Sequence, residues 1–287
     1  MNKVRVIATD LDGTLLHNRS TISKKNLIAL KRFICDGGIV CFVTGRCFVS
    51  AKSHADKFYS KTGCKIHFLS CLKGAVLYDN IENKFIYQRI MSANITAKIL
   101  AISKQTKCCF AAYFEKDIYN KNMWIYGNNK IVWLLNKIRI LPNCLTIADQ
   151  DTNEASYKIN ISGFKFNLSI FKQLKALQNC YQQIKSKLGG EIDIAKTSKY
   201  MYEITSKNSN KGIAIKTISE LLKIDLNEFA AFGDSANDIE MMKLVGLPIA
   251  IGNKNCNLNK IVKHSIQGLQ KNAVGKAINK YIYLGKK

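Results

Sequence analysis

Residues 4–14 read VRVIATDLDGT, an apolar run (Val4, Val6, Ile7, Ala8) that ends in two carboxylates two positions apart, Asp10 and Asp12, followed by Gly13 and Thr14. A near-continuous apolar run of this length reads as a strand buried on both faces, the habit of a parallel sheet covered by helices. In doubly wound sheets, ligands sit beyond the carboxyl ends of the strands. Two acids placed there are costly to desolvate, so they call for a cation or a chemical task. Asp-Gly alone is equally a common turn, and the residues downstream decide between the two readings.

Outward from that stretch, Leu27, Leu30 and Ile34 have helical spacing, with Thr21 or Ser23 as N-cap and Gly37-Gly38 as the stop. IVCFV (39–43) is a second buried strand ending at Thr44-Gly45-Arg46; a helical stretch over 47–60 and the strands KIHFLSC and GAVLY follow. Strand–helix–strand repetition predicts a parallel sheet with crossover helices. From about Asp79, short alternating strands (FIYQR, CCFAAYF, YKINISG, EIDIA, YMYEI) interleave with helical stretches near 94–105, 129–138 and 167–187, which predicts an α+β insertion with one wet sheet face. The parallel pattern resumes after Ile204. Asn210 caps a helix beginning near Lys211, FAAFGD is a strand ending in an acid, a helix starts near Asn237, LPIAIG is another strand, and weaker helices lie near 255–263 and 272–282. The expected architecture is an α/β, doubly wound, mostly parallel core over 1–78 and 205–287, with an inserted α+β domain over 79–204.

The chain has 287 residues, 47% of them apolar, enough for a large core and against global disorder. With only two prolines, Pro142 and Pro248, no linker is visible. Ten cysteines include no Cys-x-x-Cys pair, which removes the usual zinc and dithiol-redox spacings. Most sit in apolar runs, so reduced, buried thiols and a cytoplasmic setting are expected; neither a signal-length apolar start nor an 18-residue apolar run occurs. CFVTGR places Cys41 one residue too close to Arg46 for a cysteine-phosphatase loop. The four histidines lack ligand spacing, and Trp124 and Trp133 read as aromatic core.

Net charge is +24, and the 47 residues after Glu240 carry nine lysines and no acid. Such a field attracts anionic substrates and can hold a protein on nucleic acid or an anionic membrane; a Lys-rich solvated face is the plainer reading. No obligate protein partner is evident.

Four pieces fall where strands end or helices begin: Asp10 with Asp12, Thr44, Lys211, and Asp234 with Asp238. Carboxylates gathered without His or Cys suit a hard cation, Mg²⁺ first. A hydroxyl, a lysine and a helix N-terminus beside it suit a phosphoryl group.

DLDGT (10–14), FVTGR (42–46), Lys211 and GDSANDIEMM (233–242), in that order, resemble the haloacid dehalogenase superfamily of phosphohydrolases. The long insertion and the GDxxND motif look like the Cof-type subfamily with a type IIB cap. The resemblance implies a Rossmann-like core with a substrate-specificity cap, and Mg²⁺-dependent hydrolysis of a small phosphomonoester such as a sugar phosphate, nucleotide or cofactor phosphate. It also implies roles. Asp10 would be the nucleophile that becomes an aspartyl-phosphate, and Asp12 the general acid and base. Thr44, Gly45, Lys211 and Asn237 would bind the phosphoryl group. Asp10, Asp12 through its main-chain carbonyl, Asp234 and Asp238 would hold the metal. The chain departs from the family at Lys73-Gly74, where Asn-Gly is usual, and at Gly252-Asn253-Lys254, where Gly-Asn-Ala is usual; Lys73 is expected to add a cation beside the phosphate. A member whose basic flank binds RNA or anionic membrane, with catalysis secondary, is the alternative, and a mutase-like transfer to a sugar is a lesser one.

Overall fold

The computed structural model describes residues 3–18, 20–120, 123–126, 145–148, 153–163, 170–252, 258, 260–262, 264–266 and 271–284. The helical stretch expected over 129–138, Trp133 and Lys254 lie outside them. In chain order the strands are β1 (Val6–Thr9), β2 (Leu16–His17), β3 (Thr21–Ile22), β4 (Ile39–Val43), β5 (Phe68–Cys71), β6 (Val76–Asp79), β7 (Lys84–Gln88), β8 (Cys109–Phe114), β9 (Met123–Tyr126), β10 (Leu145–Ala148), β11 (Ser156–Ser162), β12 (Ile192–Ser198), β13 (Met201–Ser206), β14 (Phe229–Gly233), β15 (Leu247–Ile251) and β16 (His264–Ile266). The helices are α1 (Lys24–Cys35), α2 (Phe48–Thr62), α3 (Ala93–Gln105), α4 (Ile170–Leu188), α5 (Lys211–Leu222), α6 (Ile239–Met242) and α7 (Ala273–Ala277), the last running on into a π-helical turn over Ile278–Tyr283.

Two compact units result: residues 1–87 with 210–287, and residues 88–209. The first is built on an eight-stranded sheet in the order β16-β15-β14-β1-β4-β5-β6-β7. The six strands from β16 to β5 are parallel, joined by crossovers that include α1, α2 and α6. β1 is central and buried along its whole length because helices cover both faces of the sheet. The order climbs from β1 to β4 and β5 on one side and from β14 to β15 and β16 on the other. The carboxyl ends of β1 and β14 therefore flank the point where winding reverses, the crevice in which such sheets bind ligands.

The sheet is mostly parallel as expected, with one antiparallel pair, and one strand assignment is corrected. Phe68–Cys71 and Val76–Asp79 pair antiparallel, because the four intervening residues are too few for a crossover. The FIYQR strand, assigned to the insertion, instead forms β7 at the edge of the core sheet. An edge strand with one wet face alternates just as an insertion strand would, so periodicity cannot separate the two.

The second unit has a six-stranded sheet, β10-β9-β8-β11-β13-β12, antiparallel except between β9 and β10. Phe110, Ala112, Phe114, Ile159, Ile161, Tyr202 and Ile204 bury against Ile99 and Leu100 of α3 and Leu177, Cys180 and Ile184 of α4. Trp124 packs at the margin of this cluster and its Nε1 donates to Asp117 at 2.5 Å. The opposite sheet face is not uniformly wet: Lys158 is buried there, its ammonium 3.2 Å from Glu203.

Candidate active site

The chain leaves β1 through a tight turn that presents Asp10, whose backbone N–H still donates to Phe232 of β14 at 2.9 Å. Strand pairing thus places the end of β1 beside the end of β14, where Asp234 follows Gly233. One turn further, Asp238 points back. Its Oδ2 accepts from the backbone N–H of Asp234 (3.1 Å) and of Ser235 (3.0 Å) and from the Ser235 hydroxyl (3.3 Å). Those donors orient the carboxylate so that Oδ1 faces the ammonium of Lys211, 2.6 Å away. Lys211 opens α5, which Asn210 caps by accepting from Ile213 N–H at 3.0 Å. The same ammonium donates to Asp10 Oδ1 at 2.5 Å. Lys211 and Asp238 are fully buried and Asp10 is 5% exposed.

Carboxylate oxygens of Asp10, Asp234 and Asp238 lie within 4.8 Å of one another. Three such groups around one ammonium leave an excess of negative charge in a desolvated place. The Asp10 carboxyl accordingly rises to about 7, the balance of burial, which raises it most, Lys211, which pulls it down, and Asp238 and Asp234, which push it up. Burial alone would depress Lys211, but the adjoining Asp10 and Asp238 carboxylates outweigh it and hold the ammonium above the ordinary lysine range. The carboxylates offer oxygen donors only and outnumber the one ammonium among them, the donor chemistry of a hard divalent cation. Thr14 supports it by donating its hydroxyl to Asp234 Oδ1 at 3.2 Å. Gly13 makes room for it: with φ +84°, a Cβ there would stand 2.4 Å from Asp234 Oδ2.

Asp12 lies outside this carboxylate group. Arg46 grips it from two sides, Nε to Oδ2 at 2.7 Å and Nη2 to Oδ1 at 2.6 Å. Arg46 is in turn anchored through Nη1 by the Ser50 hydroxyl (3.1 Å) and by Nε2 of the buried His54 (2.9 Å), both on α2. A guanidinium only donates, so His54 Nε2 accepts and its proton resides on Nδ1. Arg46 stood in the quoted FVTGR motif with no role assigned, and His54 with none either. The pairing with Asp12 arises because β1 and β4 are neighbours, which brings residues 34 apart in sequence into contact.

Thr44 follows β4, buried, its Oγ1 accepting from Arg46 N–H at 3.2 Å. Its carbonyl accepts from the backbone N–H of Lys73 at 3.1 Å, which places the Lys73 backbone beside Thr44. Lys73 is buried and held with φ 64° in the turn after β5. At Gly45 an added Cβ would meet nothing within 4 Å among the described residues, so packing does not explain the glycine. Asn237 is half-buried, its Oδ1 accepting from Ser235 Oγ at 2.8 Å. His17 has no described side chain.

Residues 7–278 match the family model of haloacid dehalogenase-like hydrolases. A candidate phosphatase of Buchnera aphidicola subsp. Schizaphis graminum is 28% identical over 273 residues, 93% of this chain and 92% of its own. Among solved structures, a haloacid dehalogenase-like hydrolase from Bacteroides thetaiotaomicron has a TM-score of 0.77 at 18% identity, covering 97% of this chain and 99% of that one. A sugar phosphatase of subclass IIB of the superfamily has a TM-score of 0.76 at 16% identity, with 97% and 99% covered.

Proposed function

The chain belongs to the haloacid dehalogenase-like hydrolases and is a Cof-type phosphatase among them; we propose that it hydrolyses a small phosphomonoester, a sugar or cofactor phosphate, through a phosphorylated Asp10 with Mg²⁺ as cofactor. The observation that carries this reading is the buried ammonium of Lys211 held between Asp10 and Asp238, with Asp234 completing the carboxylate group. Burial of that many charges is unfavourable for stability alone, and a phosphoryl-transfer site is the arrangement that uses them.

Asp10 attacks phosphorus, forming an O–P bond as the bond to the leaving alcohol breaks. Asp12 delivers a proton to the departing oxygen, then withdraws one from the water that cleaves the aspartyl-phosphate and returns Asp10 with free phosphate. Arg46, by gripping both Asp12 oxygens, fixes the orientation of that side chain. Thr44 Oγ1, the Gly45 N–H and Lys211 Nζ hold phosphoryl oxygens, with Lys73 and Asn237 at the margin. Asp10, Asp234, Asp238 and the Asp12 carbonyl are the groups that would hold the cation. Bound there, Mg²⁺ offsets the repulsion between a carboxylate nucleophile and an anionic phosphate.

The test is p-nitrophenyl phosphate turnover with added Mg²⁺ and with EDTA. Chelation is expected to abolish it, as is Asp10→Asn in the presence of Mg²⁺. Normal turnover by that variant overturns the assignment.

A further inference from the structure

Cys35 and Cys64, 29 residues apart in sequence, bring their sulfurs to 3.9 Å. The expectation that the cysteines are buried fails here: Cys35 is exposed and Cys64 is half-exposed, whereas Cys41, Cys71, Cys108 and Cys180 are buried. The reason lies in the helices. Cys35 is the last residue of α1, and Cys64 follows Gly63, the left-handed C-cap of α2. Two parallel crossovers that run side by side end at the same edge of the sheet, so their C-terminal residues meet at its rim.

We propose that Cys35 and Cys64 are a site of reversible thiol–disulfide exchange, open to small disulfides of the glutathione class and separate from the phosphatase centre. Cys35, the more accessible thiol, loses its proton and attacks one sulfur of the small disulfide, releasing one small thiol. Cys64 then attacks the mixed disulfide on Cys35 and releases the second. Two protein thiols are oxidised, one small disulfide is reduced to two thiols, and no other co-reactant enters. The sulfurs must close from 3.9 Å to about 2.05 Å. Burial and the neighbouring Cys35 sulfur raise the Cys64 thiol, with Lys31 opposing. The buried thiols are closed to solvent, and burial raises Cys41 and Cys71 well above the ordinary thiol range.

The site is remote from the reaction by topology. Cys35 and Cys64 precede the amino ends of β4 and β5, whereas Asp10 and Thr44 follow the carboxyl ends of β1 and β4.

The full chain, incubated natively with glutathione disulfide, is expected to lose the Cys35 and Cys64 thiols, to carry no glutathione on either, and to yield a cross-linked peptide pair joining residues 35 and 64. Cys64→Ser should stop at a stable mixed disulfide on Cys35, one glutathione heavier. Cys35→Ser should acquire no cross-link. Thiol counts and peptide mapping involve no p-nitrophenyl phosphate turnover, so the outcome is independent of whether the phosphatase assignment holds. Persistent glutathione on Cys35 of the unaltered chain, a cross-link mapped to any other pair, or no change in thiol count would each overturn the proposal.

Discussion

At Asp10 burial and two neighbouring carboxylates outweigh Lys211, and the carboxyl rises from 3.8 to about 7. A proton and a divalent cation compete for the same oxygens there, which makes the acid side of neutrality the sensitive range. Above about 7 the folded carboxyl is ionised and ready to ligate; below it, binding must first displace a proton. Mg²⁺ affinity measured by titration calorimetry on the unsubstituted chain is therefore expected to be level above pH 7 and to fall about tenfold per pH unit below it. An affinity unchanged between pH 5 and 8 would show that cation binding displaces no proton from Asp10. Arg46 supports a second residue-scale prediction. Arg46→Lys keeps the charge and loses the two-pronged grip on Asp12, since one ammonium cannot reproduce the fork. A carboxyl misaimed by about 1 Å is expected to lower kcat by about 100-fold while KM shifts little, with the thermal midpoint nearly unmoved. Equal loss in kcat and stability would make Arg46 a structural residue only.

The elements explain how those residues converge, and α5 is the clearest case. Its N-cap, Asn210, fixes the first turn, and that turn carries Lys211 into the carboxylate group. Asn210→Ala is expected to cost about 1 kcal/mol. In a chain of this size that is a fall of about 2–4 °C in Tm by calorimetry. Because the frayed turn is the one bearing Lys211, kcat/KM should fall as well, whereas removing Asp225, which caps the short turn before β14, should lower Tm alone. The same element scale shows how much was legible beforehand. β1, β4 and β14 announce themselves as apolar runs ending in Asp10, Thr44 and Asp234, and the cap at Asn210 is a local signal; these depend on nearest neighbours along the chain. The Arg46 grip on Asp12 and the approach of Cys35 to Cys64 depend on which strands and helices become neighbours. No spacing rule carries that information. β7 was assigned to the wrong unit for a related reason, since alternation reports one buried face without saying which sheet buries it.

For the molecule as a whole, the excess of 44 basic over 20 acidic side chains sets a long-range field, and four of the acids, Asp10, Asp12, Asp234 and Asp238, are drawn into the candidate site or its margin. Beyond Glu240 the chain has lysines with no acid to balance them. A phosphomonoester dianion approaching such a surface is concentrated near it before any contact forms. The field's reach is set by salt: the screening length falls from about 30 Å at 10 mM to about 10 Å at 100 mM ionic strength. Chemistry at the bound phosphate takes place among charges a few ångströms apart and is far less screened. Raising NaCl across that range at fixed free Mg²⁺ is accordingly expected to lower kcat/KM several-fold while kcat holds, with a monoanionic aryl phosphodiester used as a competitive inhibitor showing a shallower dependence than the dianionic substrate. A kcat/KM that does not respond to salt would mean that the lysines of the flank are locally neutralised or face away from the approach of substrate. A kcat that falls in step with it would place the effect at the carboxylate–lysine group itself.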